Sequence, residues 1–226
     1  MKLTSGAIVV TLALIAGCQS TPPAQPSGFL GDYSQLQPAP DRVGVMLYVD
    51  RNFDFRPYTK LRLLPPQVLV TPVPGEPPPD PAVIARIRTQ MHESLQRYLA
   101  PTYQLVDQAG PDVLTVRSAI TGLEAATPPK HAIDVLPVKA LVNRGREAVG
   151  TAPHVAEMSG EVEVLAPDGK RVIAGTASRK GDQRLPQGDQ ITWESLASIT
   201  DYWARNVRKR LDQLRGVTPP VAMNVQ

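Results

Sequence analysis

The chain's only cysteine, Cys18, closes the run Ile15-Ala16-Gly17-Cys18, and its thiol is the nucleophile whose surroundings point most directly to a reaction. Lys2 and a short apolar run from Ile8 to Ala16 precede it. A secretory signal has a basic start, an apolar segment of roughly 7 to 15 residues and small residues ahead of the cut, whereas a membrane-spanning helix needs about 20 apolar residues. This run is too short to span. A cysteine directly after small residues makes the bacterial lipobox pattern, with cleavage between Gly17 and Cys18 and a diacylglycerol joined to the thiol as a thioether. A buried core cysteine is the plainer alternative, but Cys18 lies between an apolar leader and a Pro-rich spacer, where no core is at hand. Burying acyl chains contributes about 0.8 kcal/mol per CH2 and one chain is only marginally retained, so the three chains of a mature bacterial lipoprotein would anchor it firmly. Gln19, not Asp, follows the cysteine. That is the pattern of lipoproteins passed on to the outer membrane, so the expected location is the outer membrane, facing the periplasm.

Other chemistry-bearing residues converge less. His92, His131 and His154 share no motif, and the chain has no H-E-x-x-H, G-x-S-x-G, P-loop or glycine-rich dinucleotide turn. Glu161 and Glu163 stand two apart on an expected strand, which puts both carboxylates on one face as acid and base work would require. The plainer expectation is that Val162 and Val164 face the core and leave the glutamates in water beside Arg171 or Arg179. Asp32, Asp41, Asp50 and Asp54 do not have the spacing of a calcium loop and read as solvated turn residues. No metal or cofactor is expected. Arg205, Arg208, Lys209, Arg210 and Arg215 lie late on an expected helix, where anionic headgroups would gain about 1 kcal/mol per basic residue near a surface. Cations there also complement the helix dipole, and Asp201 and Asp212 dilute the patch. Of the two tryptophans, Trp203 falls in an apolar helical stripe and reads as core, while Trp193 at the helix start is the exposed one. Trp193, Arg205, Arg208 and Lys209 are therefore the candidate interaction residues.

The elements that would position these groups follow from periodicity. Residues 18–28, the lipidated cysteine and a Pro-rich stretch, form a semi-extended tether, and one domain is expected over residues 29–216. Fourteen of the 24 prolines fall between Pro22 and Pro81, so the early domain should be extended segments and turns. Leu61 to Val70 reads as a strand bent at Pro65-Pro66 near a sheet edge. Asp80-Pro81 is a helix start, with Asp as N-cap and Pro at the first turn. Ile84, Ile87, Met91, Leu95 and either Tyr98 or Leu99 then recur at helical spacing until Pro101. Tyr103 to Val106 and Val113 to Leu123 read as strands, Ala125 to Pro137 as a loop and Val138 to Val149 as a short helix. Residues 161–165 and 171–174 flank the Ala-Pro-Asp-Gly-Lys turn of a hairpin. A loop from Gly181 to Asp189 leads to a helix from about Thr192 to Leu214, carrying the stripe Leu196, Ile199, Trp203, Val207 and Leu211 and stopped by Gly216. The tail, residues 217–226, reads as flexible. The order implies an α+β domain, an antiparallel sheet with two main amphipathic helices packed on one face.

Composition narrows the function. Removing residues 1–17 leaves 209 of 226 residues and a formal charge of +2 in place of +3. That near balance gives no field for nucleic acid, which is excluded as a partner. With no cysteine besides the anchor, no disulfide can close within the chain, and the fold must rest on its hydrophobic core.

Ser27-Gly28-Phe29-Leu30-Gly31-Asp32-Tyr33-Ser34-Gln35-Leu36, directly after the lipobox and spacer, resembles the start of the bacterial lipoprotein family filed as domain of unknown function 3313. Tyr58-Thr59-Lys60 ahead of an apolar strand and the Asp-Gly hairpin fit the same layout, so the resemblance covers about Gly28 to Leu214. It implies an outer-membrane-associated, periplasm-facing lipoprotein and supplies no catalytic residues. Phe29, Leu30, Tyr33 and Leu36 read as a structural motif that lays apolar side chains on the domain surface. The resulting expectation is a noncatalytic lipoprotein, held to the membrane by its N-terminal lipid, that serves an envelope assembly through a protein partner. A small-ligand or lipid-binding module, with a pocket between helices and sheet, and a periplasmic enzyme with an unrecognised site are the alternatives. An exposed apolar patch including Trp193 would favour the first, an apolar cavity the second, and a deep pocket lined by His131, His154 or the glutamates the third.

Overall fold

A computed structural model describes residues 25–42, 44–69, 80–126, 154–185 and 191–217. Gly17, Cys18, His131, the expected 138–149 helix and the tail beyond Val217 lie outside them. Eight strands form one sheet: β1 (Gln37–Pro38), β2 (Val45–Val49), β3 (Lys60–Leu63), β4 (Gln67–Val68), β5 (Gln104–Leu105), β6 (Val113–Ala126), β7 (Val155–Leu165) and β8 (Arg171–Arg184). Two helices, α1 (Pro81–Leu99) and α2 (Trp193–Arg215), complete the α+β fold. The strand order is β1-β2-β8-β7-β6-β3-β5, with β4 also on β6.

The sheet is mostly antiparallel, but mixed. Strand β3 runs parallel to both β5 and β6, and β4 runs parallel to β6. The parallel pairs within the expected antiparallel sheet have a topological reason. Helix α1 lies between β4 and β5, and a strand–helix–strand connection returns the chain in the same direction. Pro65-Pro66 does break the apolar stretch, separating β3 from β4.

Both helices start as their caps require. The Asp80 carboxylate accepts from Ala82 N at 2.8 Å, and Thr192 and Ser195 form a reciprocal cap at the start of α2. Gly216 ends α2 in the left-handed conformation at φ 72°. Helix α1 packs against α2 and against β3 and β4, while α2 lies over β7 and β8. Ile87, Leu95, Leu99, Leu114, Val116, Ile120, Met158, Val164, Leu196, Ile199 and Leu211 fill the space between helices and sheet, all buried.

The hairpin is longer than its sequence signal. Strand β7 starts at Val155 and β8 runs on to Arg184, so residues 181–184 are strand rather than loop. Gly181 is buried, and a Cβ there would lie 2.9 Å from the Ser195 carbonyl, so glycine marks a close approach of β8 to the start of α2 and not a turn. Strand β2, inside the Pro-rich third, pairs along β8 from Val45↔Ala177 to Val49↔Ile173.

Candidate functional site

The sheet has two covered faces, and one of them holds carboxylates that sequence alone placed in water. Pleating puts Met158, Gly160, Val162 and Val164 of β7 toward the helices and Glu161 and Glu163 on the other side. That side is not solvent. Residues 27–36 lie over it, burying Leu30 and Leu36 against Ala174 with Phe29, Tyr33, Met46 and Tyr48 around them. Glu161 and Glu163 are each only 2% exposed, which corrects the expectation of solvated carboxylates.

Burying two carboxylates is costly unless each is paired and hydrogen-bonded. Glu163 lies between two arginines, with Arg117 Nη1 at 2.6 Å from Oε1 and Arg171 Nε at 2.9 Å from Oε2. Arg117 faces Glu163 from β6 in register. Glu161 accepts from Ser27 N at 3.0 Å and from the Tyr33 hydroxyl at 2.7 Å. The Tyr33 hydroxyl in turn accepts from Gly28 N at 2.9 Å. Arg171 reaches further and donates to the Asp32 carbonyl at 2.8 Å and to the Leu30 carbonyl. The Arg117 guanidinium carbon sits 5.1 Å from the Phe29 ring centroid. Every carboxylate oxygen is thus occupied by a donor that fixes the 27–36 segment. The pair is a clasp.

The helix face holds the second feature, a cleft of about 300 Å³ between α2 and strands β2, β8 and β7. Val45, Leu47, Val162, Ile173, Ala177 and Val207 line much of it. Gly160 and Gly175 keep its sheet wall low. A Cβ on Gly160 would lie 2.5 Å from Trp203 Cζ3, so the indole rests directly on that glycine. Trp203 is buried, as its place in the stripe implied, yet its Nε1 has no hydrogen-bond partner among the described residues. The same is true of two more buried atoms of cleft-lining residues, Ser118 Oγ and Arg42 Nη2. Arg42 Nε faces Asp41 at 3.5 Å, and Arg210 reaches the same Asp41 at 3.4 Å. Arg179 lies over the Tyr202 ring at 3.7 Å.

The remaining candidates scatter. Trp193, at the first position of α2, is half-buried with the Arg86 guanidinium 4.9 Å from its ring centroid, so it packs on α1 instead of standing free. Arg205 lies over Tyr98 at 5.7 Å, and Arg208 pairs with Asp212 at 3.2 Å. Asp212 itself is buried and accepts from the Tyr103 hydroxyl at 2.8 Å, where burial pushes the phenol pKa above its ordinary value. Lys209 is exposed. The basic run of α2 is therefore divided among separate partners and makes no single anion platform. Asp32 accepts from Ser34 N, Asp54 pairs with Arg56 at 2.8 Å, and Asp50 takes Lys170 Nζ at 2.7 Å. Contrary to the turn reading, Asp50 is buried, and the Lys170 and Asn52 hydrogen bonds hold its carboxyl below the ordinary range. Among the described residues no group of three or more His, Cys, Asp and Glu is placed to hold a metal.

Sequence reasoning missed Arg42, Arg117 and Ser118. Alternation along Val113 to Leu123 puts Arg117 on the face away from Leu114, Val116 and Ile120, but nothing local gives its register with Glu163.

A domain of this kind, one mixed sheet with two helices on one face and an N-terminal segment clasped to the other, matches a family model over residues 25–207. The chain belongs to that family, described as proteins of unknown function (DUF3313). It is 27% identical over 218 residues to the uncharacterized lipoprotein YdcL of Escherichia coli K12, covering 90% of this chain and 95% of that one. Its fold is also similar to a PelC dodecamer subunit from Paraburkholderia phytofirmans, at 11% identity and TM-score 0.40 over 74% of this chain and 95% of that one. A DUF4136 family protein from Bacteroides thetaiotaomicron shows 12% identity and TM-score 0.35 over 76% and 96%.

Proposed function

We propose that the chain is a noncatalytic lipoprotein, anchored through Cys18 in the outer membrane and facing the periplasm, whose domain binds a small apolar ligand in the service of an envelope assembly. The lipobox residues and the lipoprotein relative support the anchor. The observation that carries the binding reading is the cleft beneath α2, about 300 Å³ in volume and apolar on most of its wall. Acid–base chemistry has less support, since Glu161 and Glu163 are consumed by the clasp and the described histidines, His92 on α1 and His154 before β7, are not among the residues lining the cleft. Leu69 is the one large apolar side chain that is exposed among the described residues, which weakens docking through an apolar patch centred on Trp193.

The test is made in bacterial cells on the full-length chain and on Cys18→Ala. Wild type is expected in the outer-membrane fraction of a density gradient and the variant is not; equal recovery of both there would overturn the anchor. Organic extraction of wild type, purified in mild detergent, should release a small apolar molecule in near-equimolar amount. An extract with none, alongside one protein that crosslinks recurrently, would replace the ligand reading with a protein-partner role.

A further inference from the structure

We infer that residues 27–36 are a releasable strap that sets how far the domain stands from the membrane: fastened, they leave a short tether, and unfastened, they lengthen it while the rest of the domain stays folded. The inference rests on the proposed anchor at Cys18 and gives the segment next to the tether a mechanical role.

The strap is held unlike any strand of the sheet. Its backbone closes on itself: Gly31 N donates to the Gly28 carbonyl at 3.1 Å, Asp32 N to that of Leu30 at 2.8 Å and Leu36 N to that of Tyr33 at 3.0 Å. Gly28 N donates to the Tyr33 hydroxyl and Phe29 N to the Ser27 hydroxyl. Among the described residues no backbone-to-backbone hydrogen bond joins residues 27–36 to a strand. Side chains do the fastening instead. Glu161 takes Ser27 N and the Tyr33 hydroxyl, Arg171 holds the Leu30 and Asp32 carbonyls, and Leu30 and Leu36 sit on Ala174 in a small apolar cluster separate from the core beneath the helices. Lifting the strap therefore leaves the strand ladders closed, as befits a unit that opens locally at less cost than global unfolding.

The face beneath it is already fit for water. On the helix side, β6, β7 and β8 present Leu114, Val116, Met158, Val164 and Ile173, whereas on the strap side they present Arg117, Glu161, Glu163 and Arg171. With the strap off, Glu163 keeps Arg117 at 2.6 Å and Arg171 at 2.9 Å, since all three stand on strands, and Glu161 exchanges two protein donors for water. No buried charge is stranded by the release.

The position of the strap decides what release does. Ser27 is nine residues from Cys18, and a chain spans at most about 3.3–3.6 Å per residue, so the fastened domain stays within about 30 Å of its anchor. Release passes ten residues to the tether and moves its end to Gln37, where β1 meets β2, raising the reach to about 65 Å. A pull on the tether enters at Ser27 and loads the contacts in turn from that end, which peels the strap and spares the sheet.

Hydrogen exchange of the lipidated full-length chain in phosphatidylcholine nanodiscs, followed against urea, tests the release. Amides of residues 28–36 are expected to exchange through an opening that urea barely promotes, while those of β7 and β8 follow global unfolding; strap amides that share the β7 and β8 curve overturn the inference. Tyr33→Phe should speed strap exchange about tenfold, the worth of one hydrogen bond, and leave β7 and β8 unmoved; equal acceleration of all three would make the strap part of the cooperative domain and overturn it too. Reach is read by energy transfer from a donor dye on Lys209→Cys, the thiol left free once Cys18 is lipidated, to headgroup acceptors in the nanodisc. Leu30→Asp, with Leu36→Asp as an independent repeat, should lower the mean transfer and broaden its distribution, the β7 and β8 amides serving to show that the domain is folded. Unchanged transfer in folded, open-strap variants overturns the role in reach. Fractionation of Cys18→Ala decides the anchor separately, and strap exchange in that variant tests the opening without it.

Discussion

Gly160→Ala tests the packing on which both the core and the cleft depend. The added methyl would stand 2.5 Å from Trp203 Cζ3 and 2.8 Å from Cη2, with the Ala119 carbonyl 3.1 Å away. Neither side gives easily, because the carbonyl is backbone on β6 and the indole is buried among the residues of α2. Alanine normally gains about 0.5–1 kcal/mol over glycine within a strand. Overpacking a filled site costs about 1–3 kcal/mol, and a clash with a rigid ring belongs at the upper end. The net expectation is a loss of about 2 kcal/mol, or about 4–8 °C in Tm for a domain of this size. Urea unfolding followed by far-ultraviolet circular dichroism measures it, and a double-mutant cycle with Trp203→Phe locates its cause. Phenylalanine lacks the outer ring atoms that meet the methyl, so in that background Gly160→Ala should cost little or become stabilising, giving a coupling of at least about 1 kcal/mol. A Gly160→Ala protein as stable as wild type, or one that loses the same amount in both backgrounds, refutes the contact as the reason for glycine.

The clasp and the buried ion pair give three more expectations. Glu163→Gln leaves Arg117 and Arg171 facing a neutral amide; removing one partner of a buried pair costs about 3–5 kcal/mol, reduced here to about 2 kcal/mol because both arginines still reach solvent, and urea unfolding should show that loss. Tyr33→Phe deletes the hydroxyl that joins Glu161 to Gly28, and should cost about 1–2 kcal/mol while speeding cleavage within residues 27–36 under limited proteolysis; unchanged cleavage would mean that the hydroxyl does not fix the segment. Asp50 titrates below the about 3.9 of an unfolded aspartate, so its contribution is fully present above that value and fades as pH falls through the folded pKa. The stability difference between wild type and Asp50→Asn, measured by urea midpoints from pH 6 to pH 3, should therefore shrink on acidification, and a constant difference would contradict the Lys170 pairing as its source.

What was legible in the sequence was whatever local chemistry decides. Asp80-Pro81 and Thr192 fixed helix starts, Gly216 fixed a helix end, and the Asp-Gly turn fixed the hairpin, because each acts on its own few residues. Strand β2 was not legible, since Val45 to Val49 has no alternation and extends only because β8 offers it a partner more than 120 residues away. Gly181 misled for a related reason. Glycine marks either a turn or a close approach, and only the position of Ser195 shows which.

The glutamates make the same point about function. Alternation correctly separated Glu161 and Glu163 from Val162 and Val164, yet a strand pattern says which residues share a face and nothing about what covers it. Here the cover is residues 27–36, which read as a surface motif because the groups that hold it, Arg117, Glu161, Glu163 and Arg171, lie some 80 to 140 residues away. The consequence is a division of labour between the two faces. The clasp uses up its charged groups in holding the segment next to the tether, whereas the helix face keeps an open, largely apolar cleft. A concave, mostly apolar opening is the ordinary form of a small-molecule site, so the helix face, and not the buried carboxylate pair, is where a ligand is to be sought.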